Sequence, residues 1–267
     1  MSTQAARATP EWRQQWSMFQ DNERFLFDEW IAPLTLEDFR GQDVLEAGCG
    51  GGQHTAFVAP LARSVTAVDL NTADLARERN RQFRNVAFVE GDIAAMDLGR
   101  QFDVVHCIGV IHHTDDPDRT FANLYRHTRP GGRLLIWTYS AEGNALVRYG
   151  VEPIRRLVLQ HLSRRALVRL ARVITALLYP VVYTVYRLPG TRFMPYSEYF
   201  VNFRRLSFER NMLNVFDKLN APQTRFTTRQ KCLEWFSAER FEPASIVIKP
   251  YAGVSYHLSG VKRHDRS

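Results

Sequence analysis

The stretch Val44-Leu45-Glu46-Ala47-Gly48-Cys49-Gly50-Gly51-Gly52 constrains this chain more than any other. An apolar run ending in closely spaced glycines reads as a strand that turns sharply into a helix. Glycine lets the backbone turn tightly and approach a ligand, and the following helix presents free N–H groups to it. Nineteen residues after Gly50, Asp69 ends a second apolar run. A carboxylate there can accept two hydrogen bonds from ribose hydroxyls. The dinucleotide fingerprint requires glycine at 48, 50 and 53, and position 53 is Gln. A nicotinamide-dependent oxidoreductase is thereby set aside.

The pattern around this loop alternates. Apolar runs predict strands over 43–47, 65–69, 86–89, 103–107 and 133–138, with helices over 53–61, 72–83 and 117–128. Strands alternating with helices imply parallel pairing in a doubly wound α/β sheet. After Tyr139 the alternation breaks. A helical, basic stretch over 151–188 and a mixed one over 189–220 predict an inserted, mainly helical cap at 141–220 on the acceptor side. A helix over 228–238 and strands over 245–249 and 254–261 return the chain to the sheet as a hairpin-like edge. The expected organisation is a helical lid at 1–40, a ligand-binding core at 41–140, the cap, and a return at 221–267. Trp12, Trp16, Phe19, Phe25, Phe27 and Trp30 give the lid an apolar side, which either packs on the core or covers a ligand.

The net charge of +7 is local. From Pro153 to Ser197 there are eight arginines and no Asp or Glu, so the rest of the chain is close to neutral. Leu157, Val158, Leu162, Leu167, Leu170, Val173 and Leu177 interleave with them. Such a basic amphipathic helix suits an anionic membrane surface, packing on the main domain or a homodimer contact. Nucleic acid is not expected, because charge alone supplies phosphate affinity and no RNA-binding module accompanies it. No run of about 18 uninterrupted apolar residues is present, so a conventional membrane span is not expected. Met1–Pro10 is polar and does not read as a signal peptide. Cys49, Cys107 and Cys232 form neither a disulfide framework nor a Cys-x-x-Cys pair, so no metal site and a cytoplasmic location are expected, with peripheral contact at a membrane surface as a further possibility.

Five segments in order resemble the class I S-adenosylmethionine (SAM)-dependent methyltransferases of the Rossmann-like fold. They are the glycine loop, Gly91-Asp92-Ile93, Phe102-Asp103-Val104-Val105, Val110-Ile111-His112-His113-Thr114-Asp115-Asp116-Pro117 and Arg129-Pro130-Gly131-Gly132-Arg133-Leu134. The resemblance covers 43–139 and leaves the cap uninherited. It implies a seven-stranded sheet, mostly parallel with the last strand antiparallel, flanked by helices. It also implies SAM as cofactor and S-adenosylhomocysteine as product. Glu46, Gly48 and Gly50 would hold the methionine portion. Asp69 and Leu70 would meet the ribose, Asp92 and Ile93 the adenine, and Cys107 and Ile108 the cofactor floor.

Methyl transfer asks little of a protein beyond orientation and exclusion of water. A base is needed where the acceptor loses a proton. His113 and His112 follow the fourth strand and are the candidates, with His113 preferred and one of the pair expected to order the loop. His106, inside the strand, is expected to be packed. Tyr139, Tyr196, Tyr199 and Phe200 are candidate acceptor contacts. The expected activity is methylation of a small-molecule or lipid-like acceptor at a hydroxyl oxygen. The alternatives are a tRNA or rRNA methyltransferase using the arginine-rich cap, and a non-catalytic SAM-binding partner protein.

Overall fold

A computed structural model describes residues 5–18 and 23–264, with side chains from Trp12 onward. Met1–Gln4 and Phe19, parts of the expected lid, lie outside the described residues. The chain opens with helices α1 (Ala5–Met18) and α2 (Arg24–Ile31). There follow β1 (Asp43–Ala47), α3 (Gln53–Val58), β2 (Ser64–Asp69), α4 (Ala73–Arg79), β3 (Val86–Glu90), β4 (Phe102–Ile108), α5 (Pro117–His127) and β5 (Thr128–Tyr139). Next come α6 (Glu152–Leu157), α7 (Arg164–Thr184), α8 (Ser197–Phe203), α9 (Phe208–Asn220) and α10 (Arg229–Trp235). Strands β6 (Val247–Tyr251) and β7 (Ser255–Val261) complete it.

The seven strands form one sheet in the order β3-β2-β1-β4-β5-β7-β6. β1 through β5 are parallel, and β7 runs antiparallel between β5 and β6. This is the mixed, Rossmann-like arrangement expected of the motifs. All seven residues of β4 are buried, as a central strand covered on both faces must be. Its pleat sorts side chains between two layers. Val105 and Cys107 enter a core with Phe121, Leu124, Trp235 and Phe236 from α5 and the α10 region. Val104 and Ile108 enter the opposite core with Phe27, Ile31 and Val58 from α2 and α3. The turn expected at 130–132 is an excursion within β5. Phe102 pairs with Thr128 and Val104 with Arg133, so residues 129–132 loop out of register.

The chain leaves the sheet beyond Ser140 and rejoins it at Thr227, later than the boundary expected near 220. Ser140 bridges Thr227, the Ala141 amide donates to the Thr227 carbonyl at 2.8 Å, and the Thr138 and Thr227 hydroxyls are 3.0 Å apart. The helix expected over 151–188 is broken at Leu162–Ser163. The Ser163 hydroxyl caps α7 by accepting the Ala166 amide, so one helix ends and another begins. The mixed stretch resolves into α8 and α9, the latter capped by Ser207. Leu167 and Ala171 of α7 meet Met212, Leu213, Phe216 and Leu219 of α9 in a third apolar cluster.

Residues 164–187 form a continuous helical stretch of 24 residues with mean hydropathy 1.6 over its most apolar window, long and apolar enough by length and composition alone to cross a membrane. Every such window includes Arg172, so the stretch meets the length-and-composition test without being an uninterrupted apolar run.

Phe216 is fully buried at the α7–α9 contact. Phe216→Ala is expected to cost about 3–5 kcal/mol locally. Limited proteolysis should then cut within 141–227 before it cuts the sheet, and equal cleavage of both regions would count against separate support of the cap.

Candidate functional site

A cavity of about 480 Å³ lies at the carboxyl ends of the parallel strands. It sits where strand order reverses between β1 and β4, the position at which open α/β sheets take ligands. Gly48 and Gly50 line it beyond β1, Asp69 and Leu70 at the end of β2, Asp92 and Ile93 beyond β3, Ile108 and Val110 at the end of β4, and Tyr139 at the end of β5. Trp12 and Trp16 of α1, Trp30 of α2, and Arg210, Leu213, Asn214 and Asp217 of α9 supply the remaining wall.

The cradle fits the methionine and ribose of SAM on its own geometry. Gly48 has φ +85°, and a Cβ there would meet Val110 Cγ1 at 2.6 Å. Gly50 has φ +53°, and a Cβ would meet Trp16 at 2.7 Å. Both positions therefore require glycine twice over. Asp69 Oδ2 accepts the Gly50 amide at 2.9 Å, which ties the loop to β2. Its Oδ1 accepts the Asn71 amide at 3.3 Å. A carboxylate has about four acceptor positions, so capacity remains for ribose hydroxyls. Asp92 Oδ1 accepts the Ala94 amide, and Oδ2 is left for an exocyclic amine.

Several expected contacts are not brought to the cavity. Cys107 is fully buried on the other face of β4, because neighbouring residues on a strand point oppositely and Ile108 takes the cavity side. Glu46 lies beneath the loop and accepts the Thr55 hydroxyl at 2.5 Å. Burial pushes its carboxyl up to about 8, partly opposed by the Thr55 bond. The neighbouring His54 Nδ1 is 4.0 Å away, but burial pushes that ring down to about 3. At neutral pH both groups are uncharged, so this is not an ion pair. Tyr196, Tyr199 and Phe200 pack within the cap. The Lys218 ammonium lies 5.2 Å from the Tyr199 ring and 5.7 Å from the Tyr139 ring, separating Tyr199 from the chamber.

The two histidines part company. His112 is buried, takes the Tyr139 amide on Nδ1 at 3.4 Å and does not line the cavity. Burial holds its pKa far below the ordinary value. His113 lines the cavity, and its Nδ1 lies 2.8 Å from the Gln223 carbonyl. A carbonyl only accepts, so Nδ1 carries the hydrogen and Nε2 keeps its lone pair. Nε2 has no partner among the described residues and is not shut off from solvent. Burial depresses the His113 pKa, so the ring is neutral at physiological pH. Gln223 also donates to the His113 carbonyl at 3.1 Å and to Asp115 at 2.7 Å, clamping the loop. Trp12 lies 4.7 Å from the His113 ring. His106 is packed between Phe27 and Phe39.

Sequence reasoning missed Arg210, Asp217 and Gln223. Arg210, Leu213, Asn214 and Asp217 recur at helical spacing, which marks one face of a helix in the stretch read as mixed. Asp217 accepts the Tyr139 hydroxyl and the Gln15 amide, both at 3.3 Å, and so joins α9 to β5 and α1. Gln223 carried no pattern, since its partners His113 and Asp115 lie more than a hundred residues away in sequence.

Residues 45–136 match the family described as methyltransferase domain. An uncharacterized protein of Synechococcus is 36% identical over 126 residues, 43% of this chain and 29% of that protein. The ubiquinone biosynthesis O-methyltransferase of Pseudomonas entomophila is 31% identical over 125 residues, 44% of this chain and 54% of that protein. The chain thus spans about half or less of the length of these curated relatives. Magnesium protoporphyrin IX methyltransferase from Synechocystis, solved with bound S-adenosylhomocysteine, has a TM-score of 0.55 over 97% of this chain and 99% of its own, at 13% identity, a likeness of fold. Residues 45–136 thus carry a methyltransferase domain on a Rossmann-like sheet. SAM is the cofactor of that family.

Two outcomes are expected. Asp69→Ala should weaken SAM binding by about tenfold or more in calorimetry, the loss of one or two hydrogen bonds to a charged group; unchanged affinity would remove Asp69 from the ribose site. Glu46 keeps its proton in the fold up to about pH 8 but ionises near its ordinary 4.5 when unfolded. Its contribution to stability is therefore fullest below pH 4.5 and is lost as pH rises towards 8. Glu46→Gln should flatten the melting temperature of the cofactor-free protein across that window, and an unaltered slope would show that Glu46 ionises normally.

Proposed function

We propose that this protein is a cytoplasmic enzyme that methylates a hydroxyl oxygen of a small-molecule or lipid-like acceptor. The observation that carries this reading is the His113 tautomer: the Gln223 carbonyl fixes the hydrogen on Nδ1, leaving a neutral Nε2 at a chamber that adjoins the glycine cradle. Bound SAM supplies a methyl group on a sulfonium sulfur. Gly48, Gly50, Asp69 and Asp92 orient it. His113 Nε2 takes the proton that the acceptor hydroxyl releases as the new O–C bond forms. The clamp by Gln223 keeps the ring in that tautomer, and Asp217 favours the charged ring that results.

The chamber walls name the acceptor's character. Trp12, Trp30, Trp137, Tyr139 and Leu213 suit an apolar, planar body, with Asp217 and Arg210 as polar ends. One relative is named a ubiquinone biosynthesis O-methyltransferase, which agrees with an oxygen acceptor. Peripheral contact with a membrane through the cap would bring a lipid-like acceptor within reach.

Methyl transfer from SAM to a panel of phenols and quinols, read by mass spectrometry, tests the activity. His113→Ala should lower kcat about 10²–10⁴-fold, the usual worth of a positioned base, with SAM affinity unchanged. The acid limb of kcat should fall below pH 6.5 in the parent and vanish in the variant, since the depressed pKa keeps His113 unprotonated to lower pH. Undiminished turnover in His113→Ala would remove it from this role.

A further inference from the structure

Exposed apolar side chains on this protein are not scattered. Leu157, Leu177, Leu188 and Phe193 are 75%, 67%, 59% and 88% exposed, and all belong to the cap. Within α7 the pattern is regular. Leu167, Ala171, Thr175 and Val182 face inward and are buried. Val173, Leu177 and Val181 recur every fourth residue on the outer side and are exposed, and Val185 and Leu188 continue the row. A helix on the surface of a soluble domain normally carries polar residues there. Only 22% of its most apolar window is buried.

The charges around this row are of one sign. Arg165, Arg169 and Arg172 stand on the same outer side at its start, all exposed, and Arg187 and Arg192 follow at its end. Among the described residues none of these five has a carboxylate partner. Outside the cap, Arg13, Arg24, Arg40 and Arg63 each pair with a carboxylate. An apolar stripe with unpaired guanidinium groups at both ends matches the acyl boundary of a bilayer with anionic headgroups, where long arginine side chains reach out to phosphates.

We infer that the outer face of α7 docks this protein in the plane of an anionic membrane. Spanning is ruled out by the inner face: Leu167 and Ala171 are built into the cluster with Met212, Phe216 and Leu219, and crossing the bilayer would strip that cluster apart. The docked helix rests on α9, whose other side, Arg210, Asn214 and Asp217, walls the cavity. An acceptor dissolved in the bilayer is thereby delivered beside the chamber. This delivery rests on the methyl-transfer reading, whereas docking does not.

The test is co-sedimentation of the full chain with phosphatidylcholine vesicles, with and without about one third phosphatidylglycerol. The intact protein should pellet with the anionic vesicles only. Arg165→Gln/Arg169→Gln/Arg172→Gln should partition about tenfold or more weakly, and the parent should lose binding as salt rises. Leu177→Gln/Phe193→Ser should lose binding at low and high salt alike. All variants should keep the parent's affinity for S-adenosylhomocysteine, which separates loss of docking from loss of the fold or of the cofactor site. A parent that stays in the supernatant with both vesicles overturns the inference. So does a dimer in sedimentation velocity that Leu177→Gln/Phe193→Ser dissolves, since the face would then belong to a second copy. Resistance of the bound protein to alkaline carbonate would overturn the in-plane mode.

Discussion

The approach of Gly48 to Val110 governs the layout of this molecule. It brings the end of β1 against the end of β4, with no room for a Cβ between them. The order of strands reverses at that seam, so a crevice opens there and the ends of five parallel strands surround it. Asp69 then holds the turn by accepting the Gly50 amide, which joins the loop to the neighbouring strand. Everything placed later in the chain, including the His113 loop, the end of β5 and the wall of α9, is arranged around a gap set by one absent side chain.

The sheet was legible in the sequence because its strands are short, apolar and punctuated by glycine and helix patterns, and the glycine loop with Asp69 marked the cavity's position. The finer placements were not. Pleating decides whether Cys107 or Ile108 faces the cavity, and a one-residue difference in register would exchange them. The family resemblance implied Glu46 as a cofactor contact, yet it is buried under the turn and does not line the cavity. His112 and His113 are neighbours of one residue type, and what separates them is a carbonyl from residue 223, more than a hundred positions away. Long-range partners of this sort leave no local pattern. The cap was read as basic and apolar, but its division into α6 to α9 depends on Ser163 and Ser207, hydroxyls whose capping role shows only once the helices are in place.

Two halves of the site are supported differently. The cofactor side is held by backbone geometry and by carboxylates within one sheet. The acceptor side is assembled from three distant pieces, α1, α9 and the segment at 223–227. Gln15 and Asp217 join the first two, and Gln223 with the Thr227 amide, which donates to the Tyr139 carbonyl at 2.9 Å, joins the third to the sheet. A few isolated polar contacts, such as that between Gln15 and Asp217 at 3.3 Å, hold less strongly than a ladder of strand hydrogen bonds, so the side built from these pieces is the softer of the two.

Both ends of the insertion meet at one place, where Ser140 bridges Thr227. The intervening chain therefore leaves and rejoins the sheet side by side, and the cost of closing such a loop grows only slowly with its length. A segment attached in that way behaves as a cassette. It can be lengthened, exchanged or redecorated over evolutionary time while the frame beneath keeps its hydrogen bonds. The clamp from Gln223 sets the terms of any exchange: a replacement must return a carbonyl to His113, or the frame survives without the partner that fixes that ring's tautomer.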